Sequence, residues 1–402
     1  MCRIKIKNFG PIKEGSANGW IDIKKVTLFI GNQGSGKSSV AKLISTFSWM
    51  EKAMIRGDFQ VKYFTNYNRF RNTYCAYHRI ENYFFNENGE DLAELEYQGQ
   101  EYHFVYRDRK LTINKYTDRK GELTQVMYIP AERNLVSSSK KSNQFKELSP
   151  SVVDFVGEFD IAKRDIKEHV KLPINNVSVE YDRLNETVNI KGAGYKVKLT
   201  EASSGFQAVV PLYLVAKYYA NLVKQQSESG NDNMSSNEKE RFKKEAANIW
   251  ETEGLSDEQK RDLLSSLGRK FNKKAFVNIV EEPEQNLFPT SQKDVLYSLL
   301  EFNNLNAGNK LVLTTHSPYI VSYLTVAILA NKIKQVKPEE LKMLFPIKST
   351  INESEVVIYE LSEIDGTIKA LETYDGYPSD DNFLNLKLDE GNKMFIDLLR
   401  MI

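Results

Sequence analysis

Residues 31–39, Gly31-Asn-Gln-Gly-Ser-Gly36-Lys37-Ser38-Ser39, have types and spacing suited to holding phosphate. In the pattern GxxxxGK[ST], successive backbone N–H groups curl around an anion. The lysine reaches the β- and γ-phosphates of a nucleotide, and the following hydroxyl takes one Mg²⁺ position. Asn32, Gly34, Ser35, Gly36, Lys37, Ser38 and Ser39 are therefore candidate nucleotide contacts, with Lys37 on phosphate and Ser38 on the metal. Far downstream, the apolar run Ala275–Val280 ends in Glu281-Glu282-Pro283-Glu284. Glu281 is placed to stand behind Mg²⁺ and its waters, and Glu282 to polarise the water that attacks a γ-phosphate. A third apolar run from Lys310 ends in Thr315-His316-Ser317-Pro318. His316 is expected to sense or orient the γ-phosphate rather than to act as the base. Taken singly, an acidic turn is a common solvated feature and a histidine at a strand end is usually structural; their order along the chain is what joins them.

These groups need elements to position them. Val26–Ile30 reads as a strand running into the glycine-rich turn, and Val40–Phe47 as the helix leaving it. Ala275–Val280 and Leu311–Thr314 read as buried strands, each delivering polar residues at its C-terminal end. That edge is where open α/β sheets keep their ligands.

The chain has 402 residues, 41% hydrophobic and 27% charged, with 55 basic against 54 acidic side chains. No global field draws it to nucleic acid or membrane. With only Cys2 and Cys75, a disulfide framework, a CxxC zinc hook and a cysteine-held iron–sulfur site are excluded. No apolar stretch approaches the roughly 20 residues of a membrane span. The expected location is the cytoplasm.

The three pieces, with a fourth at Leu199-Thr-Glu-Ala-Ser-Ser204-Gly205-Phe-Gln207, resemble the ABC-type ATPase heads of the SMC, RecF and OLD families, and in particular their short AAA-type defence ATPases. Glu281–Pro289 falls on that family's Walker B and D-loop, and Thr314–Pro318 on its H-switch. Arg3–Ile12 is similar to its first strand, and Tyr128–Arg133 to a strand end before its helical lobe. The resemblance implies an α/β fold, a mixed-sheet lobe with a helical lobe and no long coiled coil. It implies ATP and Mg²⁺ as ligands, Glu282 and His316 as catalytic residues, and Ser38 and Glu281 at the metal. It also implies that Ser204 and Gly205 close over the nucleotide of an opposite subunit, so that the working form is a homodimer or a higher homo-oligomer. Within one composite head the expected segments are 1–135 with the phosphate loop, 136–225 as helical lobe and signature, 226–274 as a helical insertion, and 275–402 with Walker B, H-switch and the rest of the head.

Departures from the pattern are specific. Ala131-Glu132-Arg133 stands where the family carries a glutamine, and the sequence does not choose between Glu132 and Arg133 as a contact to Mg²⁺ or phosphate. Phe206 replaces the second signature glycine, and Phe288 the D-loop aspartate of transporters. Asn221–Lys274 breaks at Ser227–Asn233 and then offers short helices, the second opened by a Ser256-x-x-Gln259 capping box and ended by Gly268. Without sustained heptads it is a compact insert, a solvated hairpin or a docking point. After His316 too little chain remains for an appended nuclease domain, and Asp380-Asp381 lacks the carboxylate cluster of a two-metal nuclease. Two loose Arg/His spacings, Arg164 with His169 and Arg71 with His78, match HEPN ribonucleases only as cheaply as chance does. Between Trp49 and Phe85, aromatic residues alternate with arginines. Either they pack a β-rich lobe or they stack and pair with nucleic acid.

The lean head is similar to the ATPase subunits of two-component anti-phage systems such as Septu and PARIS. That implies a sensor controlling a separately encoded effector, a nuclease or toxin. A RecF-like or SMC-like DNA repair ATPase and an ATP-dependent scaffold with incidental hydrolysis are the alternatives.

Overall fold

The computed structural model describes residues 2–16, 19–138, 148–229, 236–252, 256, 259–261, 263–264, 267 and 271–401. Alternation of apolar and polar residues in CRIKIK makes Cys2–Lys7 (β1) a half-buried strand. Short strands follow at Gly15–Ser16 (β2) and Ile21–Ile23 (β3). Val26–Gly31 (β4) is buried along its whole length and runs through the phosphate loop into the helix Lys37–Arg56 (α1). A short helix at Val61–Thr65 (α2) and a π-helical stretch at Phe70–Cys75 precede three strands, Glu94–Gln98 (β5), Tyr102–Arg107 (β6) and Lys110–Lys115 (β7). These complete an antiparallel sheet of order β3-β1-β5-β6-β7. Glu51 fixes α1 to it, its Oε1 accepting the N–H groups of Glu101 and Tyr102 at 2.9 and 3.1 Å.

Thr124–Ile129 (β8) leads through a turn at Ala131–Asn134 to the helices Leu135–Ser138 (α3) and Pro150–Arg164 (α4). Four antiparallel strands follow: Val170–Lys171 (β9), Ser178–Asp182 (β10), Thr187–Gly192 (β11) and Tyr195–Lys198 (β12). The stretch 136–225, read from sequence as a helical lobe, therefore also carries a small sheet. Its long helix, Ser204–Ser229 (α5), begins at the signature and continues ten residues beyond the Tyr219 expected from sequence. Ser236–Glu251 (α6) lies in the insertion. The capping box forms as read, with the Gln259 N–H donating to Ser256 Oγ and the Ser256 N–H to Gln259 Oε1. Gly268 and most of the Ser227–Asn233 break lie outside the described residues.

The remaining elements are Ala275–Glu281 (β13), Pro289–Asn303 (α7), Lys310–Thr315 (β14), Pro318–Val336 (α8), Pro338–Lys342 (α9), Val356–Leu361 (β15), Thr367–Ala370 (β16) and, after a small hairpin, Phe383–Leu399 (α10). The central sheet runs β2-β16-β15-β4-β14-β13-β8. Its five strands from β15 to β8 are parallel, and β13 and β8 are buried throughout, the pattern of strands covered on both faces. One apolar cluster joins this sheet to α5, α7 and α8; a second joins its other face to α1 and the antiparallel sheet. The expected α/β fold of mixed sheet plus helices is what is seen, and no long coiled coil occurs among the described residues. No helix among the described residues is long and apolar enough to cross a membrane.

Candidate functional site

Register brings the three sequence clusters to one edge. Ile30 pairs with Thr315 and Thr314 with Glu281, so the phosphate loop, His316 and the paired carboxylates leave adjacent strands at the same end of the sheet. The turn after β8 joins them, since Val280 pairs with Ile129.

In the loop, Gly36 caps α1 with φ 101°, and a Cβ there would lie 2.8 Å from the Ile12 side chain. Only glycine fits that close approach in a left-handed conformation. Gly34 stands clear of its surroundings, Ser35 and Ser39 are buried, and Ser38 is exposed. Lys37 folds back over the loop, its Nζ donating to the carbonyls of Gly31 (2.9 Å) and Asn32 (2.8 Å). Burial pulls the Lys37 ammonium down to about 8, against the opposing pull of Glu282, Glu284, Glu363 and Glu281. The Asn32 amide donates to Glu363 Oε1 at 2.9 Å, and its own Oδ1 accepts the Gln33 N–H.

Glu281 ends β13 at 3% exposure, and burial raises its carboxyl above the usual range. The Lys42 charge, and after it Ser38 and Tyr128, lower it in part, yet Glu281 Oε1 and the Tyr128 hydroxyl each lack a partner of ordinary hydrogen-bond geometry. An orphaned buried carboxylate oxygen beside the loop hydroxyl is a fitting donor set for Mg²⁺. Among the described residues no cluster of three or more His, Cys, Asp or Glu side chains could hold a metal by itself. Such an ion would take its other ligands from phosphate and water, as Mg²⁺ usually does.

Glu282 follows with φ 44°, rare for a residue bearing a side chain. Its N–H donates to the Thr314 carbonyl at 2.9 Å, and its carbonyl accepts from Arg133, so the strained backbone is held from both sides. Its Oε1 stands 3.5 Å from His316 Nε2, and that imidazole, ahead of every other influence, lowers the Glu282 carboxyl. The His316 N–H donates to Glu284 Oε1 at 2.7 Å. Half-buried Glu284 thereby orients the His316 segment, a role the sequence reading did not assign, although Glu284 lies in the same acidic run.

Of the two candidates at residues 131–133, one has its side chain committed to the fold. Arg133 is fully buried and spends its guanidinium on main-chain carbonyls: Pro130 (3.1 Å), Glu281 (2.7 Å), Glu282 and Ala208 (3.2 Å). It is a strut between the carboxylate strand and α5. Glu363 was also missed, because nothing near it in sequence marks it; it reaches the loop only because β15 pairs with β4.

The signature residues stand apart from this cluster. No hydrogen bond or ion pair among the described residues joins Ser204 or Gly205 to residues 31–39. Ser204 is exposed at the start of α5, and Gly205 packs on the 284–287 turn, where a Cβ would sit 2.7 Å from the Asn286 carbonyl oxygen. Phe288 beside that turn is 72% exposed.

The Trp49–Phe85 aromatics divide: Phe64, Phe70 and Phe84 pack inward, while Trp49, Tyr63, Tyr67, Tyr83 and Phe85 are exposed. Phe59 stacks on Tyr63 at 4.3 Å, and Phe70 on Phe47 at 5.3 Å. Arg69 lies 4.4 Å over the Tyr63 ring, and Arg71 5.0 Å from the Phe85 ring. The Arg71/His78 spacing makes no acid–base pair, since burial and nearby Lys42 hold the His78 imidazole down to about 3.

No protein-family profile matches the sequence, and no curated protein matches it. Among solved structures the chain is similar to the SMC head domain from Thermotoga maritima (12% identity over 92% of this chain and 98% of that one, TM-score 0.38). It is also similar to the Smc head with an extended coiled coil bound to the C-terminal domain of ScpA from Pyrococcus furiosus (11% identity, 99% and 100%, TM-score 0.38). A dimeric ATP-binding cassette bound to ADP and Pi gives 12% identity, 92% and 100% coverage and a TM-score of 0.28.

Proposed function

We propose that this chain is an ABC-type ATPase that binds ATP with Mg²⁺ between two copies of itself and converts ATP and water to ADP and phosphate. The observation behind this reading is the shared sheet edge, where the loop with Lys37, the buried Glu281, the strained Glu282 and His316 converge. Lys37 exchanges its loop carbonyls for the β- and γ-phosphates, a move that keeps its ammonium hydrogen-bonded throughout. Ser38 and Glu281 hold the metal side of the site, where Mg²⁺ would neutralise the charge building on the phosphates. Glu282, ionised and aimed by its fixed backbone, accepts the proton of the attacking water, and His316 holds that carboxylate in place. The exposed start of α5, with Ser204 and free N–H groups at a positive helix end, serves the nucleotide of the second copy.

The finer reading is a sensor subunit of an anti-phage system that holds or releases a separately encoded nuclease or toxin. It is supported by the resemblance and by α10, on which Leu388, Met394, Phe395 and Leu399 are each more than half exposed. Exposed apolar patches of this kind mark protein contacts. ATP turnover tests the first claim: wild type releases phosphate and Lys37→Ala does not, while equal turnover in the two proteins refutes it. Turnover stimulated by DNA, and lost at raised salt, would instead favour the repair ATPase. An effector complex fully functional with Glu282→Gln would favour the scaffold.

A further inference from the structure

Behind the carboxylate strand, where α1 and the π-helical stretch meet β8 and α4, lies a cavity of about 330 Å³. It is not part of the phosphate-loop site, but Tyr128 is common to both: its ring lines the cavity, and its hydroxyl faces Glu281. The walls are planar and aromatic, with Trp49 and Tyr77 near the rim and His78 and Tyr128 within. His78 is 2% exposed and sits edge-to-face on Tyr128 at 4.5 Å. Its Nδ1 is buried without a hydrogen-bond partner, as is the Tyr128 hydroxyl. The Tyr128 hydroxyl faces Glu281, so His78 Nδ1 is the unpartnered atom on the cavity side, and such an atom is costly unless a ligand or water completes it.

The charge lining is acidic on balance. Asp154, exposed at the rim, accepts the Tyr77 hydroxyl at 2.7 Å, and Glu158 accepts the Tyr219 hydroxyl. Lys52 is the one lysine or arginine among the lining residues, and His78 is held neutral. A flat ligand would therefore stack on rings and meet acceptors, which suits a heterocycle carrying amino N–H groups and disfavours an anion. The volume is at the small end of the roughly 300–1,000 Å³ typical of ligand pockets.

We propose that this cavity is a second ligand site, separate from the ATP site, for a small amine-bearing heteroaromatic of the nucleobase or nucleoside class, with Asp154 and His78 receiving its amino group. Because Tyr128 touches both sites, occupancy would be felt at Glu281.

The test is calorimetric titration of the full-length chain, kept in saturating Mg²⁺ and a non-hydrolysable ATP analogue, with adenosine, guanosine, cytidine and uridine in turn. Saturable binding of at least one of the three amine-bearing nucleosides is expected, with uridine, which lacks the amino group, weaker by about tenfold or more. Asp154→Asn, an exposed and nearly isosteric change, should weaken that binding by about fivefold or more. Absence of saturable binding by all three, equal binding of uridine, or an Asp154→Asn variant that binds like wild type would each overturn the proposal. A signal seen only when the analogue is omitted would overturn it too, since the nucleoside would then be occupying the phosphate-loop site. Should the analogue itself fail to bind, the ATPase reading falls while the nucleoside titration remains decisive.

Discussion

Lys37 carries the most informative titration in the molecule. In the nucleotide-free chain its ammonium loses its proton near pH 8, because burial outweighs four nearby carboxylates. A bound triphosphate favours the charged form and raises that value. ATP affinity should therefore be level below about pH 8 and fall as pH rises beyond it, by up to about tenfold per pH unit, with one proton taken up per nucleotide bound. Calorimetry in buffers of different ionisation enthalpy checks this, and an affinity level to pH 9.5 would contradict it. The Glu282 carboxyl is also lowered, chiefly by His316, but for an acid that favours the charged form, so the base stays ionised through neutral pH and its contribution is lost only as pH falls through its depressed value. Replacing it by glutamine should cut turnover by on the order of 10² while leaving ATP bound; steady-state phosphate release and equilibrium binding measure the two halves. The spacing around Lys37 and the acidic run after Val280 made these groups legible in the sequence. Glu363 was not, because its position depends on the pairing of two distant strands.

At the scale of elements, the coupling between strand and helix runs through Arg133 and Gly205. The guanidinium ties the carbonyls of Glu281 and Glu282 to that of Ala208 in α5, and Gly205 lets the start of α5 close onto Asn286. A shift of the carboxylate strand on hydrolysis would thus be transmitted to Ser204. Arg133→Met should destabilise the fold by about 3 kcal/mol or more, since it leaves buried carbonyls without donors. Urea unfolding checks this, and a loss below about 1 kcal/mol would contradict the strut. The three strand-end motifs and the capping box at Ser256 could be read from local pattern. The four strands β9–β12 were not read, although β10 and β11 alternate at Val179, Tyr181, Val188 and Ile190; β9 is two residues long, β12 is mostly exposed, and the sheet forms by pairing of these strands with one another.

For the whole molecule, the near-balance of charge gave no sign of a dominant polyanionic partner, and the surface features that stand out are apolar. Phe288 is exposed beside the signature turn, and α10 presents Leu388, Met394 and Phe395 although its first turn is tied down by the Phe383 N–H donating to Glu360 at 2.6 Å. The first suits a second copy of the chain, the other a partner protein. Ser204→Arg, a bulky cation at the exposed helix start, should leave nucleotide binding within about twofold of wild type and prevent closure of the two heads. The most direct test of the composite site is the molar mass of Glu282→Gln in solution, by light scattering, with ATP·Mg²⁺ and with ADP·Mg²⁺, with and without Ser204→Arg. An ATP-dependent doubling of mass, absent with ADP and abolished by Ser204→Arg, is the predicted result. A mass that does not respond to ATP, or a doubling that survives Ser204→Arg, would contradict it.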